Sequence, residues 1–342
     1  MSKKLFDICI GNPPYQGSND QNRRQPPVYH EFMDAAYEVA DCVELITPGR
    51  FLFNAGQTPK AWNEKMLSDP HFKVLHYESN SSKIFSNANI AGGVAITIHD
   101  TSKNYGAIEI FTEYKELNEI LHKVIPFCNH SITNICIGAV PYHYTEILRQ
   151  EHPEWVELAG GSFDLRTNTL DKLVGKIYFD EKPENQNCVQ IFGLFNKKRT
   201  FMWVKKDYIS GPVNFDKYKL FISKANGFGK FGATLPEMIV GSPYVGHTQS
   251  FISIGNFETI EEVKNLEKYI KTKFARALLS VLKVTQDINP GKWRYVPLQD
   301  FSKGSDIDWA KSIHEIDLQL YRKYNLDENE IAFIETNVKE MV

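Results

Sequence analysis

The chain has 342 residues, 42% of them apolar and 24% charged. That is enough apolar material for at least one sizeable core, the length favours two domains, and the charge is too ordinary for wholesale disorder. No apolar run approaches the roughly 18 residues of a membrane span, and the start, Met-Ser-Lys-Lys-Leu-Phe-Asp, lacks the apolar stretch of a secretion signal. Five scattered cysteines (Cys9, Cys42, Cys128, Cys136, Cys188) make no C-x-x-C. Neither a disulfide framework nor a zinc site is expected, and a reduced, cytoplasmic protein with no membrane partner fits best.

Taken in order, residues 5–11 (LFDICIG) are a short apolar run that stops at Gly-Asn-Pro-Pro and read as a buried strand ending in a turn. Residues 16–25 (QGSNDQNRRQ) are polar and without pattern, and read as a loop. Pro26 and Pro27 introduce an amphipathic helix over 28–40, with Phe32, Ala36, Val39 and Ala40 on its apolar stripe. Residues 42–47 predict a second strand. Thr58 and Pro59 fit the cap and first position of a helix that stops before Pro70. Residues 72–77 and 93–98 predict two more strands, and 107–111 a fifth. Strands alternating with helices indicate an α/β layer with a largely parallel sheet. Near Pro126 the pattern changes to short strands, many glycines and few helix signals, which places a domain boundary there: 1–125 and 126–342. A long helix is predicted over 259–284, and two more over 306–325 and 327–341.

Net charge is −3, an unpromising total for a nucleic-acid binder, but its distribution is uneven. Between positions 185 and 235 nine basic residues (Lys197, Lys198, Arg199, Lys205, Lys206, Lys217, Lys219, Lys224, Lys230) stand against two acids, Asp207 and Asp216, with aromatics interleaved. Such a stretch suits a surface that tracks phosphates, and equally a solvated β face with its aromatics in the core.

Asn12-Pro13-Pro14-Tyr15 directly follows the first apolar run. An exocyclic aromatic amine is a poor nucleophile because its lone pair is delocalised into the ring. The Asn12 amide oxygen and the Pro13 carbonyl can each accept one amine hydrogen. Held in tetrahedral directions, they draw the nitrogen out of plane. Two prolines narrow the conformations of the loop and preorganise these acceptors. Tyr15 offers a flat face on which an extruded base can stack. A methyl donor would then sit beside the strand end, the usual ligand position in an open α/β sheet.

FDICIGNPPYQ resembles motif IV of the amino-methylating DNA methyltransferases. More narrowly, the chain resembles the γ-type adenine-N6 enzymes of restriction-modification systems, the TaqI-like group. The similarity continues through ELITPGRFLFNAGQTPKAW, HFKVLHYESNSSKIF and AGGVAITIHD, and into the second half at KTKFARALL and NPGKWRYVPLQDF. It implies an α/β fold with a partial Rossmann-like methyltransferase sheet, then a β-rich α+β target-recognition domain with C-terminal helices. It implies that Asn12, Pro13 and Pro14 form the catalytic loop, that Tyr15 stacks on a flipped adenine, and that Phe85 lies near the other face of the base. S-adenosyl-L-methionine is the implied cofactor, touched here by Gly11, Asn12 and Pro13, with no metal. Duplex DNA is the implied partner, contacted by Arg23, Arg24, Lys197, Lys198, Arg199, Lys205, Lys206 and Lys224, with Asn226 and Gln249 as candidate base readers.

The family's Gly-rich donor-binding motif comes before NPPY. Here NPPY begins twelve residues from Met1, and neither Ile239-Val240-Gly241-Ser242-Pro243 nor Gly291-Lys292-Trp293 makes a permuted copy. The expectation is a catalytic-loop half plus a recognition domain. Such a chain would bind the donor weakly alone and would need a donor-binding half in trans. The strand over 6–11 would present an unpaired apolar edge, to be covered by a partner polypeptide, a second copy or the terminal helices. The alternative is a catalytically inactive DNA-binding remnant or specificity subunit. A nuclease site at Asp164 and Asp180-Glu181-Lys182 is a weaker alternative, because such residue types are common.

Overall fold

The computed structural model describes residues 4–17, 26–55, 57–86, 90–158, 163–184, 186–226 and 230–341; Arg23 and Arg24 lie outside the described residues. The chain divides into two compact units, Met1–His122 and Lys123–Val342. Among the described residues it is a mixed α/β protein with four sheets and ten α-helices.

The first unit contains β1 (Phe6–Gly11), α1 (Tyr29–Val39), β2 (Ala40–Pro48), α2 (Lys60–Ser68), β3 (Phe72–Glu78) and β4 (Val94–Asp100). Its sheet has the order β1-β2-β4-β3. β1 is parallel to β2, with Ile8 opposite Cys42 and Gly11 opposite Leu45, whereas β4 is antiparallel to both β2 and β3. The expected largely parallel sheet is thus corrected to a mixed one. A parallel return needs a crossover of a dozen or more residues, usually helical. α1 and α2 supply it twice, but the 79–93 connection has only a short 3-10 turn at Ser81–Lys83 among its described residues. β4 therefore comes back antiparallel and inserts between β2 and β3.

One face of this sheet carries the core. Val43, Leu45, Phe72 and Ala95 pack with Tyr29 and Met33 of α1 and with Trp62, Met66 and Leu67 of α2. The buried stripe of α1 is Tyr29 and Met33, and Phe32, expected on it, is exposed. Phe32 and Met33 are adjacent, about 100° apart on a helix, and contact with the sheet selected the second. α2 starts one residue later than expected, with Pro59 at the cap, while the buried Thr58 hydroxyl donates to Asn63 Oδ1 at 2.7 Å. Residues 107–111 are not a strand: Glu109 has a left-handed backbone (φ 55) that breaks the extended run. β1 is an edge strand, and its outward residues Phe6, Ile8 and Ile10 are 59, 64 and 75% exposed.

α3 (Lys115–Val124) carries the chain across the division. Beyond it come β5 (Cys136–Ile137), β6 (His143–Tyr144), α4 (Glu146–Glu151), α5 (Pro153–Leu158), α6 (Thr169–Leu173), β7 (Cys188–Phe195), β8 (Lys198–Lys205), β9 (Ile209–Ser210), β10 (Tyr218–Ser223), β11 (Ile239–Gly241), β12 (Val245–His247) and β13 (Phe251–Phe257). They are followed by α7 (Ile260–Lys271), α8 (Lys273–Leu282), α9 (Ile313–Lys323) and α10 (Glu328–Asn337). The strands form sheets β11-β10-β13-β5, β12-β7-β8 and β6-β9. α4, α5 and α6 are too short to leave a periodic signal in the sequence. The single long helix expected over 259–284 is two, broken at Thr272. The Thr272 hydroxyl accepts the Ala275 N–H, and the Asp317 carboxylate accepts those of Lys273 and Phe274. Three of the N–H groups that a helix start leaves unpaired are satisfied this way.

His247 is fully buried between the rings of Tyr142 and Phe221, at 4.9 and 5.3 Å. Its Nδ1 lies 3.0 Å from the Thr248 carbonyl, which can only accept, so Nδ1 carries the proton of a neutral ring. Burial pushes its pKa down to about 4. Between an unfolded value near 6.5 and about 4, only the unfolded chain takes up a proton, so stability is lost as pH falls through that window. The contribution is on the order of 3 kcal/mol. Denaturant unfolding from pH 7 to pH 4 is expected to show a shallower pH dependence in His247→Gln than in the wild type. Parallel curves would mean that His247 does not titrate in this way.

Candidate active site at the carboxyl ends of β1 and β2

β1, β2 and β3 point the same way, so the segments that follow them meet at one end of the sheet, where open α/β sheets bind ligands. After Gly11 come two prolines, which have no N–H for a ladder. The chain leaves the sheet at Asn12 and returns through an antiparallel bridge between Gln16 and Pro27, with the Val28 N–H donating to the Tyr15 carbonyl at 3.2 Å. Asn12 and Pro14 are exposed, and Pro13 is half-buried. Among the described residues the Pro13 carbonyl accepts no backbone hydrogen bond. Two consecutive residues at the strand end therefore offer acceptors that meet no backbone donor among the described residues.

Tyr15 is half-buried and packs against the core. Its hydroxyl is buried without a hydrogen-bond partner, and burial raises its pKa. The ring lines a pocket of about 170 Å³ together with Tyr29, Pro48, Arg50, Gln57 and Ile90. Burial pushes the Tyr29 hydroxyl up to about 12, offset in part by the neighbouring Thr58 hydroxyl and by the Arg50 charge. Arg50 sits in a tight turn after β2. The Gly49 N–H donates to the Gly93 carbonyl at 2.9 Å, the Ala55 N–H donates to the Arg50 carbonyl at 3.1 Å, and Asn54 is left-handed (φ 52). Gly92 (φ +83) lies against it so closely that a Cβ there would come within 2.7 Å of the Arg50 Cβ. The motif in the sequence pointed to Asn12 through Tyr15. It missed Arg50, Gln57 and Ile90, although Pro48-Gly49-Arg50 after an apolar strand carries the same strand-end signal. Phe85 is half-buried in the 79–93 connection at this end of the sheet, outside the residues that line the pocket.

For a nucleoside-containing methyl donor the fit is incomplete. A Cβ on Gly11 would meet Leu45 Cδ2 at 3.3 Å, so that position backs onto a neighbouring strand instead of opening into a cradle. Among the described residues the pocket lining contains no carboxylate to take ribose hydroxyls. The described residues do not fit the nucleoside end of the donor. Nor, among them, is any group of three His, Cys, Asp or Glu placed to hold a metal ion.

In the second unit the basic stretch is largely engaged within the fold. Arg199 donates to the Glu237 carbonyl and to Ser223, and lies over Phe251. Lys205 pairs with Glu151, Lys206 lies 4.3 Å from the Tyr244 ring centroid, and Lys217 pairs with Glu258. Lys219 is buried and donates to three carbonyls, those of Phe215, Lys217 and Ser242. Asn226 spends its side-chain N–H on the Thr234 carbonyl; Lys224 and Gln249 are half-buried. Lys197 and Lys198 remain exposed at the tip of the β7–β8 hairpin. There Asn196 and Lys197 both have positive φ, 48 and 63, as a two-residue type I′ turn demands.

Residues 1–85 match the family described as Eco57I restriction-modification methylase. No curated protein matches the chain. Among solved structures the chain is similar to the type IIG restriction endonuclease BpuSI, at 11% identity over 97% of this chain and 53% of that one, with a TM-score of 0.33. It is also similar to the type IIL restriction-modification enzyme MmeI in complex with DNA, at 10% identity over 97% and 56%, with a TM-score of 0.34. The chain spans about half the length of these structures.

A buried hydroxyl without a partner destabilises the fold by about 1–3 kcal/mol. Tyr15→Phe is therefore expected to melt at or slightly above the wild-type temperature. A clear drop in thermal denaturation would show that the hydroxyl has a stabilising partner.

Proposed function

We propose that this chain carries the amine-capturing loop and the DNA-recognition part of an adenine-N6 DNA methyltransferase of a restriction-modification system. The observation that carries this reading is the pair of acceptors at the carboxyl end of β1: the Asn12 amide and the Pro13 carbonyl, next to the Tyr15 ring and its pocket. It is supported by the methylase family match, which spans these residues. Asn12 and Pro13 accept the two hydrogens of an adenine amine and direct its lone pair outward. Tyr15 holds the extruded base by stacking. The methyl group comes from S-adenosyl-L-methionine, whose nucleoside end is bound by a donor-binding half supplied by a partner polypeptide. The free edge of β1 and its exposed Phe6, Ile8 and Ile10 support such an addition, since an apolar edge strand is a template for pairing.

A second reading, a DNA-binding or specificity subunit without catalysis of its own, is favoured by the incomplete donor fit at Gly11. Both readings require DNA binding, and Lys197 and Lys198 are exposed cations of the basic stretch on which it rests.

Reconstituted with a donor-binding half, by co-expression or fusion, the complex is expected to methylate adenine at N6. Asn12→Ala removes one preorganised acceptor and should slow single-turnover methylation about a hundredfold or more. Tyr15→Ala removes a stacking platform worth about 1–3 kcal/mol and should be partly rescued by a mismatched target, which is easier to extrude. Wild-type rates in Asn12→Ala would remove this loop from the chemistry and leave the binding-subunit reading. For the chain alone, duplex binding followed against salt should lose about one unit of slope for each of Lys197→Glu and Lys198→Glu. An unchanged slope would take the hairpin tip out of the DNA interface.

A further inference from the structure

Amine capture leaves one group of the pocket unused. Arg50 lines it, yet among the described residues its Nε is buried without a hydrogen-bond partner and its guanidinium forms no ion pair. A buried N–H left without an acceptor is costly unless something accepts from it. Its place is nevertheless tightly fixed, by the hydrogen bonds of Gly49 and Ala55 and by the close approach of Gly92. Among the described residues the pocket lining adds no negative charge. Gln57 and Gln16 are the polar neighbours, and Tyr15, Tyr29 and Ile90 supply flat or apolar walls. A planar guanidinium presents five donors in a fork that matches phosphate oxygens two at a time.

We infer that Arg50 is the phosphate anchor of this site: it binds the backbone phosphate of the nucleotide whose base rests on Tyr15. The inference rests on the reading of Tyr15 as a base platform and deepens it. A nucleotide is the ligand class that brings a flat ring and an oxyanion, joined by one sugar, to two neighbouring side chains of one pocket. Extruding a base swings its flanking phosphates off the duplex path, and a guanidinium fixed beside the base platform holds them in the rotated position.

The test compares binding of deoxyadenosine and deoxyadenosine 3′,5′-bisphosphate to the full chain by ligand-observed NMR. The wild type should bind the bisphosphate about tenfold or more tightly than the nucleoside, the worth of one charged hydrogen bond. Arg50→Gln should bring that ratio near one and leave deoxyadenosine affinity unchanged. Arg50→Lys, a point charge without the fork, should fall between. Gly92→Ala, which displaces the Arg50 stem, should behave as Arg50→Gln does. Thermal melts of each variant confirm that it folds. A bisphosphate advantage that survives Arg50→Gln, or a loss of deoxyadenosine affinity equal to that of the bisphosphate, overturns the inference. So does a wild type that binds neither ligand. If Arg50→Gln instead weakens S-adenosylhomocysteine and spares the bisphosphate ratio, Arg50 serves the donor's carboxylate and the phosphate assignment is wrong. Failure of the Tyr15 reading looks different: Tyr15→Ala then leaves deoxyadenosine affinity intact while the phosphate increment still depends on Arg50.

Discussion

The parallel ladder between β1 and β2 runs from Phe6 opposite Ala40 to Gly11 opposite Leu45 and then stops, because the next residues are Asn12, Pro13 and Pro14. Proline has no N–H to donate and a fixed φ, so the backbone must leave the sheet at this point. Where it leaves decides the rest of the first unit's chemistry. The Asn12 amide and the Pro13 carbonyl stay at the strand end, and Tyr15 turns back onto the core. The turn after β2, which runs in the same direction, brings Arg50 to the same pocket. A ladder one residue longer or shorter would put these side chains on the other face of the pleat.

The same ladder leaves the first unit covered on one side. α1 and α2 bury Val43, Leu45 and Phe72, while Phe6, Ile8 and Ile10 of the edge strand face outward. Natural edge strands are usually shielded by charge, proline, a bulge or a covering element. Here the shield within β1 is Asp7 alone. The incomplete donor fit at Gly11 and the open edge lie on the same strand, so one added element could answer both.

The second unit handles charge differently. A basic stretch with interleaved aromatics would be a DNA surface if its cations were free, but the fold uses many of them internally. Lys219 is enclosed by three carbonyls, Arg199 is tied to Glu237 and Ser223, and the aromatics Phe192, Phe221 and Phe251 stack in a core cluster. The hairpin tip at Asn196-Lys197 has to be solvent-exposed to make its turn, and that exposure leaves its two lysines available.

The sequence by itself determined the local features: the β1 to β4 strands and the two flanking helices, the proline stop after Gly11, and the acceptor pair of the NPPY loop. These follow from backbone chemistry and short-range spacing, which a linear string records. Tertiary structure decided what depends on partners distant in the chain. β4 inserts antiparallel because the 79–93 connection offers no crossover helix among its described residues, and α1 buries Met33 instead of Phe32 because the sheet surface selects its phase. The long apolar stripe over 259–284 breaks at Thr272, where Asp317, forty-five residues on, caps the second helix. Arg50 joined the site for the same reason. It lies thirty-five residues beyond Tyr15, and only the parallel pairing of β1 with β2 brings the two to one pocket.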